Sequence, residues 1–304
     1  MRVLFAGTPE AAVPSLDGLL ASGHEVVGVL TRPAAPAGRG RKLVASPVAV
    51  RAEKAGLPVL TPAHPRDPEF AAALADLSPD ACAVVAYGAL LPGSVLAAPR
   101  HGWVNLHFSV LPRWRGAAPV QRGIIAGDDE VGATTFRIVR ELDAGPVFRT
   151  LRLPLDPLAT AGDVLADLSV RGAELLVETL TGIEAGEQPT PQDDAGLTLA
   201  PKLTVDAARI DWTTPTRVVH DHVRGNSPDP GAWTLHAGHR LKVLRSAPAA
   251  AALPPGELAV CKRQVLVGTG DGALELVEVQ PFGKRAMRGA DWGRGGVASG
   301  EVLA

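Results

Sequence analysis

Ala81-Cys82-Ala83-Val84-Val85-Ala86-Tyr87 is an apolar run without a charge or a break. Its length suits a strand, and its character suits one covered on both faces, as in the middle of a parallel sheet. The flanking segments agree. Val3–Ala6 and His24–Leu30 read as strands, and Ser15–Ala21 between them has helical spacing and stops at Gly23. Ser46–Ala55 reads as a helix capped by Ser46, with Pro47 in its first turn and Gly56 closing it. Pro58–Leu60 is a short strand, Glu69–Leu77 a helix, Trp103–His107 a strand, and Pro119–Ala126 a helix opened by proline. Ala133–Val139 and Val147–Leu153 read as strands, antiparallel at an edge, and Ala161–Ile183 as a long amphipathic helix. Strands and helices that alternate in this way form right-handed βαβ units. The fold class is therefore α/β: a Rossmann-like, mostly parallel sheet domain over residues 1–188.

The pattern then changes. Residues 189–206 hold three prolines and few periodic apolar positions, which predicts a linker on the surface. Beyond 207 come short β-like runs set apart by Gly and Pro: Trp233–His236, Arg240–Leu244, Gly256–Cys261, Gln264–Gly268 and Ala273–Gln280. About five such strands in this length predict a small OB-like β-barrel over 207–304. The Ala-rich stretch 247–252 reads as a loop. Gly268–Gly272 reads as a hairpin turn, since it joins two β runs and opens no helix.

Charge narrows the partners. Thirty basic residues face 32 acidic ones, a net charge of -2 that gives no global attraction to polyanions. Locally the balance differs. Residues 207–304 hold twelve basic and nine acidic side chains. Between Glu25 and Glu53 lie Arg32, Arg39, Arg41, Lys42 and Arg51 with no acidic residue among them, and a Gly-rich arm with clustered positive charge suits phosphate contacts. Aromatic content of 4% argues against an RNA surface built mainly of stacking rings. Cys82 and Cys261 are far apart and in no CxxC pair, which fits a reducing cytosol. No signal-peptide pattern is read at the N-terminus, and no apolar run reaches the roughly 18 residues of a membrane span. A cytoplasmic protein without membrane contact is expected. His220, His222, His236 and His239 lack the Cys or carboxylate partners of a metal site, so no metal is expected.

Asn105 and His107 stand two apart on the strand Trp103–His107 and so share a face. At the carboxyl end of a strand, an amide donor and an imidazole could stabilise an oxyanion and move a proton. Such a pair also occurs in cores, satisfied by backbone groups. Asp143 lies in Leu142-Asp143-Ala144-Gly145-Pro146 between two strands. It could fix the tautomer of an imidazole, or it could be a turn residue bonded to its own backbone.

The run Asn105-Leu106-His107-Phe108-Ser109-Val110-Leu111-Pro112-Arg113-Trp114-Arg115-Gly116 resembles the signature of the folate-dependent formyltransferase family, in which an Asn, a His two residues on and a later Asp act together. Ala6–Pro9, Pro36–Leu43, Val84–Gly88, Trp114–Pro119, Lys202-Leu203, Ala208–Trp212, Gly270–Gly272 and Pro281–Met287 resemble the tRNA-directed branch of that family, so the likeness covers nearly the whole chain. The resemblance implies 10-formyltetrahydrofolate as formyl donor and the amine of initiator methionyl-tRNA as acceptor, in a monomer that uses neither metal nor nucleotide. It implies Asn105, His107 and Asp143 as the catalytic set. Asn105 and a protonated His107 would hold the formyl oxygen while Asp143 orients His107. It further implies Tyr87, Gly88, Leu90, Ser109, Val110, Leu111 and Pro112 around the folate, with Arg39, Arg41 and Lys42 on the tRNA acceptor end. Two departures stand out: Val110 where Leu is usual, and no aromatic residue in Arg224–Pro230.

Overall fold

A computed structural model describes residues 1–37 and 42–304. Arg39 and Arg41 lie outside the described residues. The chain forms two compact units. The first comprises Met1–Gly116, Gly132–Leu153 and Leu165–Leu199; the second comprises Ala117–Val131, Pro154–Val164 and Ala200–Ala304. Residues 117–131 and 154–164, which lie in the first domain by sequence, thus fall in the second unit.

The first unit is built on a seven-stranded sheet ordered Val147–Pro154, Glu130–Arg137, Trp103–His107, Ala81–Val85, Arg2–Gly7, Glu25–Leu30, Val59–Leu60. From Trp103–His107 to Val59–Leu60 the neighbours are parallel, while Glu130–Arg137 runs antiparallel to Trp103–His107. Every residue of Ala81–Val85 is buried, as its apolar run requires. The strand stops there because Ala86 takes φ of 48°, in the left-handed region where an L-residue is disfavoured, and the chain turns out of the sheet. Strand order reverses between Arg2–Gly7 and Ala81–Val85, which opens a crevice at their carboxyl ends.

Two local devices hold the site-bearing strands in place. Ser46 caps the helix Pro47–Lys54 by accepting the Ala49 N–H at 3.0 Å, and its Oγ also lies 2.7 Å from Thr31 Oγ1 at the end of Glu25–Leu30. On the helix Ala161–Glu184, a Cβ at Gly172 would sit 2.9 Å from the Leu106 side chain, so glycine there lets the helix close on Trp103–His107. The Thr179 and Thr135 hydroxyls, 2.8 Å apart, tie the same helix to Glu130–Arg137.

One expectation for this unit needs correction. The Pro- and Gly-rich stretch after Leu30 is not all loop, since Ala35–Ala37 pairs antiparallel with Lys42–Val44. Pro36 is tolerated because an isolated ribbon leaves one edge free of hydrogen-bonding demands. The stretch expected as a linker, 189–206, is anchored near its start. Thr190 and Val147 exchange both backbone hydrogen bonds, at 2.7 and 2.8 Å.

The second unit centres on an antiparallel sheet ordered Ala232–His236, His239–Ala249, Ala273–Pro281, Val265–Gly268, Leu258–Val260, with Met287–Arg288 paired to Ala273–Pro281. The last residues join the two edge strands. Leu235 and Ala304 exchange backbone hydrogen bonds at 2.8 and 3.0 Å, and the Leu258 N–H reaches the Glu301 carbonyl at 2.8 Å. The tail thereby removes the exposed edges that an open sheet would leave. Trp212, Val243, Leu274 and Trp292 are among the buried residues of its core. Contrary to the loop expected at 247–252, the strand continues through Ala249, with Pro248 opposite Leu274. Ladder pairing overrides the low β-propensity of Ala and Pro. The helix Thr216–Asn226 has no counterpart in the sequence reading. The Asp271 carboxylate accepts the Thr216 N–H at 2.7 Å and so sits at its positive end.

Candidate active site

His107 ends the strand Trp103–His107 and is 6% exposed. Its Nε2 lies 2.8 Å from the Trp114 carbonyl oxygen. A carbonyl only accepts, so Nε2 carries a hydrogen and Nδ1 is the nitrogen left for chemistry. That nitrogen faces Asp143 Oδ2 at 3.8 Å, within ion-pair reach but too long for a direct hydrogen bond. The Phe136 ring meets the imidazole edge-on at a centroid distance of 6.4 Å and limits its rotation.

The Asp143 carboxylate is fixed from elsewhere. The Gly116 N–H donates to its Oδ2 at 2.8 Å, while Oδ1 has no hydrogen-bond partner among the described residues. Both loops that meet here hold disfavoured backbone. Trp114 has φ of 62° and Asp143 φ of 50°, each costing on the order of 1 kcal/mol for a non-glycine residue. Gly116, at φ of 131°, is where only glycine is at ease. A Cβ at Gly145 would overlap the Arg137 carbonyl, so glycine also lets the Asp143 loop turn against the strand.

Asn105 shares the His107 face, and its carboxamide has no hydrogen-bond partner among the described residues. His107 and Asp143 therefore meet at one strand end, with Asn105 two residues back on the same strand. The arrangement offers a free amide donor, an imidazole with one fixed nitrogen, and a carboxylate with one free oxygen. Such a set can polarise a carbonyl and shuttle a proton.

The expected folate-lining residues divide into two groups. Ser109 is buried and spent on the loop: its hydroxyl donates to the Arg113 carbonyl at 2.6 Å, and its carbonyl accepts from Thr134 Oγ1 at 2.7 Å. The Leu111 N–H reaches the same Thr134 hydroxyl at 3.2 Å. Val110 and Pro112 are half-buried in this turn. Gly88 and Leu90 instead line a cleft of about 560 Å³ with Arg32, His64, Arg66 and Asp67. None of Asn105, His107 and Asp143 lines that cleft. Beside it, Tyr87 is buried, and burial raises its phenol pKa against the pull of the nearby Arg32 charge. Its hydroxyl makes no hydrogen bond of normal geometry among the described residues. Of the basic arm, Lys42 is exposed at the start of its strand. Among the described residues no three His, Cys, Asp or Glu side chains are grouped as metal ligands.

Three residues of this site escaped the sequence reading. The Gln192 Nε2 donates to the Asp143 carbonyl at 2.8 Å and to the Gly145 carbonyl at 2.7 Å. Arg115, 8% exposed, donates through Nε and Nη2 to Gln192 Oε1 at 3.1 and 2.7 Å. The Trp114 N–H donates to Thr198 Oγ1 at 2.9 Å, and the Arg115 N–H to the Thr198 carbonyl at 3.0 Å. Arg115 lies in the signature run without a role assigned there, and Gln192 and Thr198 carry no local signal because their partners lie roughly 45 to 85 residues away in the chain.

Two family models match this chain: Formyl transferase over residues 1–180, and Formyl transferase, C-terminal domain, over residues 202–296. A methionyl-tRNA formyltransferase of Nocardioides sp. is 56% identical over 315 residues, covering 99% of this chain and 100% of the relative. The methionyl-tRNA formyltransferase of Thermobifida fusca is 58% identical over 298 residues, 97% of this chain and 96% of its own. Among solved structures, HypX from Aquifex aeolicus in complex with tetrahydrofolic acid superposes with a TM-score of 0.68 at 21% identity. That likeness, one of fold, covers 96% of this chain and 46% of HypX, so the chain spans about half of its length.

Proposed function

The chain belongs to the formyl transferase family, and from that premise we propose that it transfers the formyl group of 10-formyltetrahydrofolate to the α-amino group of methionine on initiator methionyl-tRNA, for translation initiation. One observation carries the choice of acceptor. Asn105, His107 and Asp143 would serve any amine, but the identity of 56% to a methionyl-tRNA formyltransferase runs through both units of the chain.

The methionine amine attacks the formyl carbon, and negative charge grows on the formyl oxygen. Asn105, whose carboxamide is unengaged, is read as the donor to that oxygen. His107 is read as a proton relay with Asp143 rather than as a second oxyanion donor, because both its ring nitrogens face protein oxygens. The free Oδ1 of Asp143 suits it to take the proton that the amine loses, directly or through a water. The proton then passes to the departing folate nitrogen, and no covalent enzyme intermediate is needed. Ser109, Val110, Leu111 and Pro112 on one side, with Tyr87, Gly88 and Leu90 on the other, are read as the folate walls. The cleft at Gly88 and Leu90 has ample room for part of such a ligand.

Residues 1–188 are taken as the catalytic domain, 189–206 as the linker and 207–304 as an OB-like tRNA-binding domain. The antiparallel sheet whose tail joins its edges, and the basic excess beyond residue 207, support that assignment. Arg39, Arg41 and Lys42 are assigned to the acceptor end of the tRNA on their clustered charge together with the family resemblance. No helix among the described residues is long and apolar enough to cross a membrane, and neither cysteine is bonded. A translation substrate favours a cytoplasmic location, and a monomer is proposed from the family resemblance.

The test is transfer of labelled formyl from 10-formyltetrahydrofolate to initiator methionyl-tRNA, run beside an amino-sugar nucleotide and a no-acceptor control. Labelled formylmethionyl-tRNA is expected. Transfer only to the sugar amine, or release of free formate, would move the protein to another branch of the family.

A further inference from the structure

The geometry points to Gln192 as a positioning residue for the reaction, acting from the segment that sequence alone marks as a linker. Its carboxamide is fully committed. Both hydrogens of Nε2 go to carbonyls of the Asp143 loop, at Asp143 and Gly145, and Oε1 takes two hydrogens from the buried Arg115. Arg115 in turn sits between Trp114, whose carbonyl holds His107 Nε2, and Gly116, whose N–H holds Asp143 Oδ2. One side chain thus ties together the loop that fixes the imidazole and the loop that carries the carboxylate.

Such a tie is needed because the Asp143 backbone is at φ of 50°, a conformation that lasts only where its surroundings impose it. The Gln192 bonds are the direct side-chain restraint on the Asp143 carbonyl. Without them the loop can relax, and a shift of about 1 Å in a proton-transfer pair can cost up to ~10²-fold in rate. Gln192 touches no reacting atom; it acts through Asp143.

This inference rests on the formyl-transfer reading, and the experiment separates the two. Gln192→Glu keeps the shape and the Arg115 pairing but replaces Nε2 and its two hydrogens by one carboxylate oxygen that faces two carbonyls. With 10-formyltetrahydrofolate and initiator methionyl-tRNA, the expected kcat falls at least about tenfold, while KM for either substrate stays within about threefold of wild type. The decisive comparison is the same substitution in an Asp143→Asn background. If Gln192 acts by placing that carboxylate, the double variant is less than about twofold slower than Asp143→Asn alone, since the effects of coupled residues do not add. A merely structural role would give the full drop in both backgrounds, and a Gln192→Glu enzyme within twofold of wild type would also overturn the inference. Should Gln192→Glu not fold, Arg115→Lys, which keeps the charge but loses the fork, provides the same cycle with a smaller drop. Wild type that forms no formylmethionyl-tRNA defeats the functional reading and this inference with it. An active wild type beside an unaffected Gln192→Glu defeats the inference alone.

Discussion

His107 in the first unit and His220 in the second are 6% and 5% exposed, and each has Nε2 against a backbone carbonyl, Trp114 at 2.8 Å and Pro157 at 2.9 Å. They differ at the other nitrogen. His220 Nδ1 completes its bonding with Ser246 Oγ at 2.9 Å, whereas His107 Nδ1 faces the Asp143 carboxylate across 3.8 Å. One ring is saturated and serves packing. The other keeps an unused valence toward a carboxylate with a free oxygen, beside an uncommitted Asn105, and that is the condition for chemistry. Burial and hydrogen-bond count at one nitrogen do not separate a structural histidine from a reactive one. On the proposed mechanism, the second nitrogen does.

Substitutions at the two sites should therefore fail in different ways. The largest effect is expected at the uncommitted amide. Asn105→Ala removes the oxyanion donor and should cost ~10²-fold or more in kcat with an unchanged unfolding midpoint, measured by steady-state formyl transfer and thermal melting. Next comes His220→Ala, which strips the partners from Ser246 and the Pro157 carbonyl and leaves a cavity. A loss of about 2–4 kcal/mol in denaturant unfolding is expected, with kcat per folded molecule retained. If that variant instead lost turnover while remaining stable, the contrast between the rings would be false.

pH sharpens the contrast further. Burial lowers the His220 pKa below its ordinary 6.5, opposed by the bond to the Pro157 carbonyl; Asp221 and Arg224 pull it in opposite directions. The unfolded chain then binds more protons than the folded one below pH 6.5. The stabilising effect of neutral His220 is complete above that value and declines as pH falls from 6.5 toward the folded value. Unfolding free energies at several pH values should thus fall less steeply on acidification for His220→Gln than for wild type. The smallest effect is expected at Arg245, whose guanidinium lies 2.7 Å from Asp163 and holds that carboxyl at about 2. Both side chains are more than a third exposed, so Arg245→Met should cost less than about 1 kcal/mol near neutral pH. Because the Asp163 pKa is depressed, this contribution is complete above about pH 4 and is lost as pH falls to and below about 2, as urea unfolding across that range would record.

What could be read from the sequence follows the range of the forces involved. The strand Trp103–His107 keeps its expected bounds, since alternating and buried apolar residues are a local signature. Asn105, His107 and Asp143 stood out because side chains of these types can do acid–base and oxyanion chemistry and because they match a family signature. Gln192 did not. It sits in a polar, proline-rich stretch, and its Nε2 reaches carbonyls 49 and 47 residues away, which have no side-chain identity to read, while its Oε1 meets Arg115 77 residues away. The helix Thr216–Asn226 was hidden for a related reason. Its buried positions include His220, Asp221, Arg224 and Asn226, polar residues tolerated inside because most of their groups find partners such as the 2.8 Å Arg224–Asp221 pair. The proposed proton-relay role of His107, in place of a second oxyanion donor, likewise depends on where Nε2 points, and only coordinates give that.

The central claim is that the imidazole facing Asp143 performs chemistry while the saturated one does not. Single-turnover formyl transfer from saturating 10-formyltetrahydrofolate to initiator methionyl-tRNA, with His107→Ala and His220→Ala compared at a temperature where both are folded, tests it directly. A fall of at least ~10²-fold for His107→Ala beside less than about threefold for His220→Ala is the predicted result. Equal losses in the two variants, or a His107→Ala enzyme at the wild-type rate, would contradict it.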